Sequence, residues 1–206
     1  MAGDLTLGKP RKRKRPEERS EEIVETASAL ACSEGLEAVT AKRVAQELGI
    51  YPGLVNHYFP SIDDLIAAAF SLAASREREQ LYVAAMSEFT IVEQLRRLIA
   101  SYTDSARDTI SLLWLDAWQA GRRRPALKDA VGVQMLADLD ALSRLIVSGN
   151  EAGDLKVEDP RAAAANVMAL IDGLSVQAAV RDRPDYGPRI DVFTYLASQF
   201  LGISGL

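Results

Sequence analysis

Apolar positions recur along this chain at intervals of three and four residues, and period-2 alternation nowhere persists long enough to argue a strand. Spacing of i, i+3, i+4 and i+7 marks one face of an α-helix, whereas strict alternation marks a half-buried strand. The pattern predicts an all-α chain. Ile23, Ala27, Leu30 and Ala31 supply the first helical face. That helix opens at Pro16, carries Glu17 and Glu18 in the turn where the macrodipole favours acids, and is ended by Gly35. Thr40 is an N-cap for a second helix, in which Ala41, Val44, Ala45 and Leu48 form one narrow stripe. Gly49 stops it, Ile50 is an apolar plug at the turn, and Pro52 opens a third helix running to about Tyr58. Val55 and Phe59 share one side of this short helix and leave Tyr51, Pro52, Asn56 and His57 for another. Two short helices joined by a tight turn have helix-turn-helix geometry, which lays the second helix in a major groove.

Ser61-Ile62-Asp63-Asp64 then has the capping-box pattern, opening a fourth helix through Leu65, Ala69, Leu72 and Ala73 to about Ser87. Further helical faces follow over residues 91–107 (Leu95, Leu98, Ile99, Tyr102) and 109–121 (Leu113, Leu115 and both tryptophans). After a break at Pro125, a long helix is predicted over 126–149, stopped by Gly149, with a polar connection over 150–159. Asp159-Pro160 caps a helix of small residues over 161–181, and a proline-rich turn leads to a last helix over 189–201. The predicted organisation is a disordered arm over 1–15, a small helix-turn-helix head over 16–60, and a larger helical body over 61–206.

Composition changes this picture in three places. A hydrophobic fraction of 48% over 206 residues is ample for a core. The longest apolar candidate, Ala67 to Ala74, is far short of a membrane span, and the basic start lacks the apolar stretch of a secretory signal. A single cysteine, Cys32, can staple nothing within the chain and reads as a small core hydrophobe in a reducing cytoplasm. The net charge of −5 argues against nucleic acid until it is mapped along the chain: residues 1–60 carry nine basic and nine acidic side chains, so the deficit lies wholly beyond them. Within the first part Lys9, Arg11, Lys12, Arg13, Lys14 and Arg15 form a dense basic cluster, either a phosphate-tracking arm or a solvated terminus.

Residues 17–65 resemble the tetracycline-repressor (TetR) family of bacterial transcription regulators without a gap. The resemblance is carried by the helix ending at Gly35, then Thr40, Val44, Ala45, Leu48, Gly49, Gly53, Val55, His57-Tyr58-Phe59 and Asp64-Leu65. The run Gly53-Leu54-Val55-Asn56-His57-Tyr58-Phe59, with Ala169-Leu170-Ile171-Asp172-Gly173-Leu174, is most similar to the branch containing the choline-sensing BetI repressors. The resemblance implies base-edge contacts from Lys42, Tyr51, Pro52, Gly53, Asn56 and His57 and phosphate contacts from Thr40 and Tyr58, with Arg43 beside them. The chemistry agrees, since Lys42 can donate to guanine acceptors and Asn56 and His57 can read base edges. Three positions depart from the family: Asn56 replaces a common phosphate-binding Tyr, Leu54 a common Thr, and Ile62 a common backbone-contacting Lys. The arm residues Arg11 to Arg15 are the expected compensation. The resemblance also implies that the head over 16–60 binds DNA and that the body over 61–206 is an effector-binding and dimerisation domain. It implies a homodimer in which the helices over 161–181 and 189–201 pair with their copies, the alternative being that they only finish the core.

The remaining chemistry is read by what it lacks. His57 is the only histidine, so neither a metal site nor a Ser-His-Asp triad can be assembled, and no G-x-S-x-G, P-loop or G-x-G-x-x-G motif is present. No cofactor, metal or enzymatic activity is expected. Met86, Phe89, Tyr102, Trp114, Trp118, Met135 and Met168 are either core or the lining of an effector cavity between helices. Trp114 and Trp118 lie one turn apart and could hold a cation, with Asp116 or Asp172 assisting if turned inward. Arg122-Arg123-Arg124 reads as a solvated helix end. The expected function is a ligand-responsive repressor that occupies a pseudo-palindromic double-stranded operator as a homodimer until an unidentified small molecule releases it. Against it stand a DNA binder without a ligand, and a helical scaffold or enzyme that does not bind DNA.

Overall fold

The computed structural model describes residues 15–180 and 190–203, and among these residues there are nine α-helices and no strand. They are α1 (Pro16–Glu34), α2 (Ala41–Leu48), α3 (Pro52–Tyr58), α4 (Ile62–Ala85), α5 (Ile91–Thr103), α6 (Asp108–Gly121), α7 (Pro125–Ala152), α8 (Pro160–Gln177) and α9 (Ile190–Leu201). No helix among the described residues is long and apolar enough to cross a membrane. Arg11 to Lys14 and the proline-rich turn lie outside the described residues.

Local chemistry accounts for the helix ends. The Thr40 hydroxyl accepts a hydrogen bond from the Arg43 backbone N–H at 3.1 Å, and Gly49 closes α2 in the left-handed region at φ 61°. Asp159 caps α8 by accepting from the Ala162 N–H at 2.9 Å. Ser61 stands at the N-cap of α4 but its side chain makes no capping hydrogen bond. Asp63 instead pairs with Arg124, which removes part of the arginine run from the solvated role expected of it. The helix predicted over 91–107 ends at Thr103, and a 3₁₀ turn over Ser105–Arg107 leads into α6.

Gly149 does not stop α7. It is buried inside the helix, and a Cβ built there would lie 2.5 Å from Leu155 Cδ1 and 2.9 Å from Ile91 Cγ2. The stop is Gly153, at φ 80°. Asn150, read as the start of a loop, is the last-turn clamp on that loop: its Nδ2 donates to the Val157 carbonyl at 2.7 Å and its Oδ1 accepts from the Val157 N–H at 3.0 Å.

Two buried cores organise the chain. The first joins Ile23, Ala27 and Leu30 of α1 and Val44 and Val55 of the helix pair to Leu65, Ile66 and Phe70 of α4, Leu113 and Trp114 of α6, and Leu127 and Val131 of α7. The second gathers Leu95 and Leu98 of α5, Leu142 and Ile146 of α7, Val167 and Ile171 of α8, and Phe193 and Leu201 of α9. The small head therefore shares its core with the front of α4, α6 and α7. Helix α4 packs on both α1 and α7, and so touches the head and the body alike.

Candidate DNA interface and effector cavity

The geometry of α2 and α3 follows from which of their residues are buried. Val44, Ala45 and Val55 are fully enclosed, and burying their side chains fixes the opposite faces outward. Thr40, Lys42, Tyr51, Pro52, Gly53, Asn56 and His57 are all exposed, with Tyr51 86% so. The structure thus brings these sequence-predicted residues to one outer surface. Tyr58 is half-buried against the head core, and its ring meets the His57 imidazole edge-on at 5.4 Å. Arg43 differs from its neighbours: its guanidinium spans Glu34 and Glu47 at 2.7 Å each, so its charge is already engaged by two acids. Arg15, assigned to the basic arm, belongs to the start of α1, where its backbone N–H and Nε both donate to the Glu18 carboxylate.

Gly53 carries a further signal. It lies in the first turn of α3 without a positive φ, and a Cβ there would meet nothing within 4 Å. Neither packing nor backbone conformation requires glycine, which costs about 1 kcal/mol relative to alanine in a helix.

The body holds a cavity of about 50 Å³ between α4, α5, α6, α7 and α8, with Arg107 in its wall. Tyr102, Trp114, Trp118, Met135, Met168 and Asp172 all line it, as the sequence suggested. Met86 and Phe89 do not. Met86 caps the end of α4 at 69% exposure and Phe89 is fully exposed beyond it, because α4 finishes before they can turn inward. Asp116 lies elsewhere, beside Gly35 on an outer groove. The tryptophan rings stand 5.7 Å apart, and Trp114 also meets Phe70 edge-on at 4.9 Å, which joins the cavity wall to the core shared with the head.

Charge within the cavity is mostly paired. Arg78 of α4 donates to Asp138 at 2.9 Å and, through both terminal nitrogens, to Gln134 at 3.1 Å. Arg107 donates to Glu77 at 2.6 Å and sits 4.7 Å from the centre of the Tyr102 ring. Asp172 forms no ion pair among the described residues. Its pKa is pushed up to about 6, first by burial and then by the Asp138 carboxylate, with Arg107 pulling the other way. Burial likewise raises Asp138, against the hydrogen bond from Arg78, and raises the Tyr102 phenol well above its ordinary value. Cys32 is half-buried against the head core, and burial followed by Glu77 pushes its thiol up, away from reactivity. No group of three potential metal ligands gathers among the described residues.

Known proteins match both halves. The family model "Bacterial regulatory proteins, tetR family" matches residues 23–69, and "BetI-type transcriptional repressor, C-terminal" matches residues 91–189. The chain belongs to the TetR family of transcriptional regulators, in its BetI-type branch. Among curated relatives, the regulator BetI of Serratia proteamaculans is 24% identical over 79% of this chain and 82% of its own length. The regulator PksA of Bacillus subtilis is also 24% identical, over 79% of each. Among solved structures, a putative transcriptional regulator from Saccharomonospora viridis in complex with choline superposes with a TM-score of 0.69. It is 22% identical, covering 89% of this chain and 95% of that one.

In this TetR-family regulator the cavity residues that sequence reasoning missed are Leu81, Ile171 and Ser175 and, more consequentially, the charged Glu77, Arg78, Arg107 and Asp138. Glu77 and Arg78 fall in the run Arg76-Glu77-Arg78-Glu79-Gln80, which reads as a solvated stretch of a long helix. No one-dimensional signal separates a charge facing water from one facing its partner on another helix. The single available hint is that this run interrupts an otherwise apolar α4 at mid-body.

Proposed function

We propose that this regulator is a homodimeric repressor, acting on DNA in the cytoplasm and released from its operator by a small organic cation. The observation that carries the effector class is the cavity itself, where two tryptophans and a tyrosine stand with Asp172, a carboxylate that forms no ion pair among the described residues. Aromatic faces attract cations without demanding a hydrogen bond, which suits quaternary ammonium compounds, and a nearby carboxylate adds charge. The related structure with choline bound supports the same class.

The operator is read by the outer face of α3 with Lys42 of α2, two copies of which reach successive half-sites. Support for dimerisation through α8 and α9 comes from their surface. Ala162, Ala165, Ala169, Gly173 and Val176 form an exposed stripe of small and apolar residues, and Val192 and Tyr195 are exposed on α9. Such stripes let helices approach closely in four-helix packing. At about 50 Å³ the cavity is far smaller than the roughly 300–1,000 Å³ typical of ligand sites. A cation must therefore select or create a wider conformer, and that differential affinity is what shifts the population away from the DNA-bound form.

The test begins with selection of genomic fragments that the full chain binds, followed by titration of choline and tetramethylammonium into the complex. Release in a gel shift at concentrations that leave the fold intact is the expected result. Sequence-specific binding that no organic cation relieves would leave a DNA binder with another effector or none, and binding without sequence preference would sink the operator reading.

A further inference from the structure

The aromatic cavity is not the largest space beside α4. An open groove of about 570 Å³ runs between α1, α4 and the turn before α6, lined among others by Glu25, Cys32, Arg76 and Asp104. Groove and cavity share three wall residues, Glu77, Leu81 and Arg107. Arg107 is the most informative of these. It is anchored on one side by Glu77, with both side chains only 10–15% exposed, and on the other by the face of Tyr102.

A guanidinium stacked on an aromatic ring and neutralised by a carboxylate has the same recognition chemistry as a bound organic cation. We propose that Arg107 is a retractable plug: it closes the passage between the groove and the cavity, and it holds the cation position on Tyr102 and Glu77 until a cationic effector displaces it. The second half of this statement rests on the effector class proposed above, and the first does not.

Displacement leads somewhere specific. The groove into which Arg107 withdraws carries the carboxylates of Asp104 and Glu25. Glu25 belongs to α1 and is held by Arg76 of α4, the residue preceding the plug's own anchor, at 2.5 Å. A guanidinium arriving in the groove competes with Arg76 for Glu25 and so loosens a tie between α4 and the head. Cation binding is thereby coupled to α1 through named charges rather than through general strain.

The chain's two tryptophans both line the cavity, so tryptophan fluorescence, excited at the red edge where tyrosine does not absorb, reports on it. In the full-length, ligand-free protein, Arg107→Met should raise acrylamide quenching of that fluorescence severalfold, and Arg107→Lys should restore most of the protection. Glu77→Gln, which keeps its volume, should move quenching in the same direction by less, and it serves if Arg107→Met folds poorly by circular dichroism. Choline and tetramethylammonium should bind Arg107→Met about 10-fold more tightly than wild type, because the internal competitor is gone. Unchanged quenching in folded variants overturns the plug, and raised quenching with weaker cation binding overturns the competition. Raised quenching with no cation binding by either protein supports the plug while removing the effector class.

Discussion

A side chain's identity is informative here where its fold does not require it. Gly53 is the clearest case: its φ is ordinary and open space lies beyond it, so the helix would be steadier with alanine. Gly53→Ala should stabilise the head by about 0.4–1 kcal/mol, since alanine restricts the unfolded chain more than glycine does. If Gly53 lies in the interface as proposed, operator affinity should nonetheless fall, because the added methyl would stand where a base edge approaches. Thermal melts together with gel shifts decide it; a variant both more stable and fully able to bind would take Gly53 out of the interface. Asp172 makes the second case, through its charge. Its folded pKa of about 6 exceeds the unfolded carboxylate value, so the folded state holds the extra proton between the two. Stability therefore falls as pH rises through that window, and Asp172→Asn should flatten the slope. Below pH 6 the wild-type cavity should lose affinity for tetramethylammonium as the carboxylate is neutralised, whereas Asp172→Asn should bind weakly at pH 5 and pH 8 alike. Asp138 keeps the opposite charge of Arg78 beside it, whereas Asp172 forms no ion pair among the described residues.

Helices were legible in the sequence to the extent that their ends are chemical and their faces apolar. Thr40, Gly49 and Pro52 delimit α2 and α3 because a cap, a left-handed stop and a preset φ act on the backbone nearest them. Gly149 and Gly153 show the limit of that reasoning, since both look like stops and only the second has the left-handed backbone. What Gly149 answers is the approach of Leu155 from the following loop and of Ile91 from α5, the latter distant in sequence. Gly149→Ala should accordingly destabilise the body by about 1–3 kcal/mol, the usual cost of overpacking, and lower the melting temperature without altering operator contacts. A variant as stable as wild type would mean that α5 and the loop after α7 give way freely. The cavity divides in the same manner. Its aromatic and methionine lining was visible as helical periodicity, while Met86 was misplaced because α4 ends two residues early and Phe89 because it lies in the exposed turn between α4 and α5. The paired charges were invisible because Glu77 finds its partner thirty positions away and Arg78 finds Asp138 sixty away.

Operator recognition by so small a head is an argument about pairing. One α3 offers only the few side chains from Tyr51 to Tyr58, and Asn56, Leu54 and Ile62 supply fewer phosphate anchors than the family resemblance implies. Two heads held at fixed spacing convert the second contact into an intramolecular one, which multiplies affinity by about 10²–10⁴ when the geometry fits. The proposed dimer surface on α8 can be probed without touching the fold, because a Cβ at Gly173 would meet nothing within 4 Å. Gly173→Glu places like charges against each other across a two-fold axis, where an isologous interface repeats every defect. The variant should sediment as a monomer with unchanged helical content. Its affinity for the intact operator should drop by roughly the factor that pairing supplied, approaching what a single half-site gives. Sedimentation as a dimer with full operator affinity would move the interface to another face, and the exposed apolar residues Val133 and Leu136 of α7 would be the next place to introduce a charge.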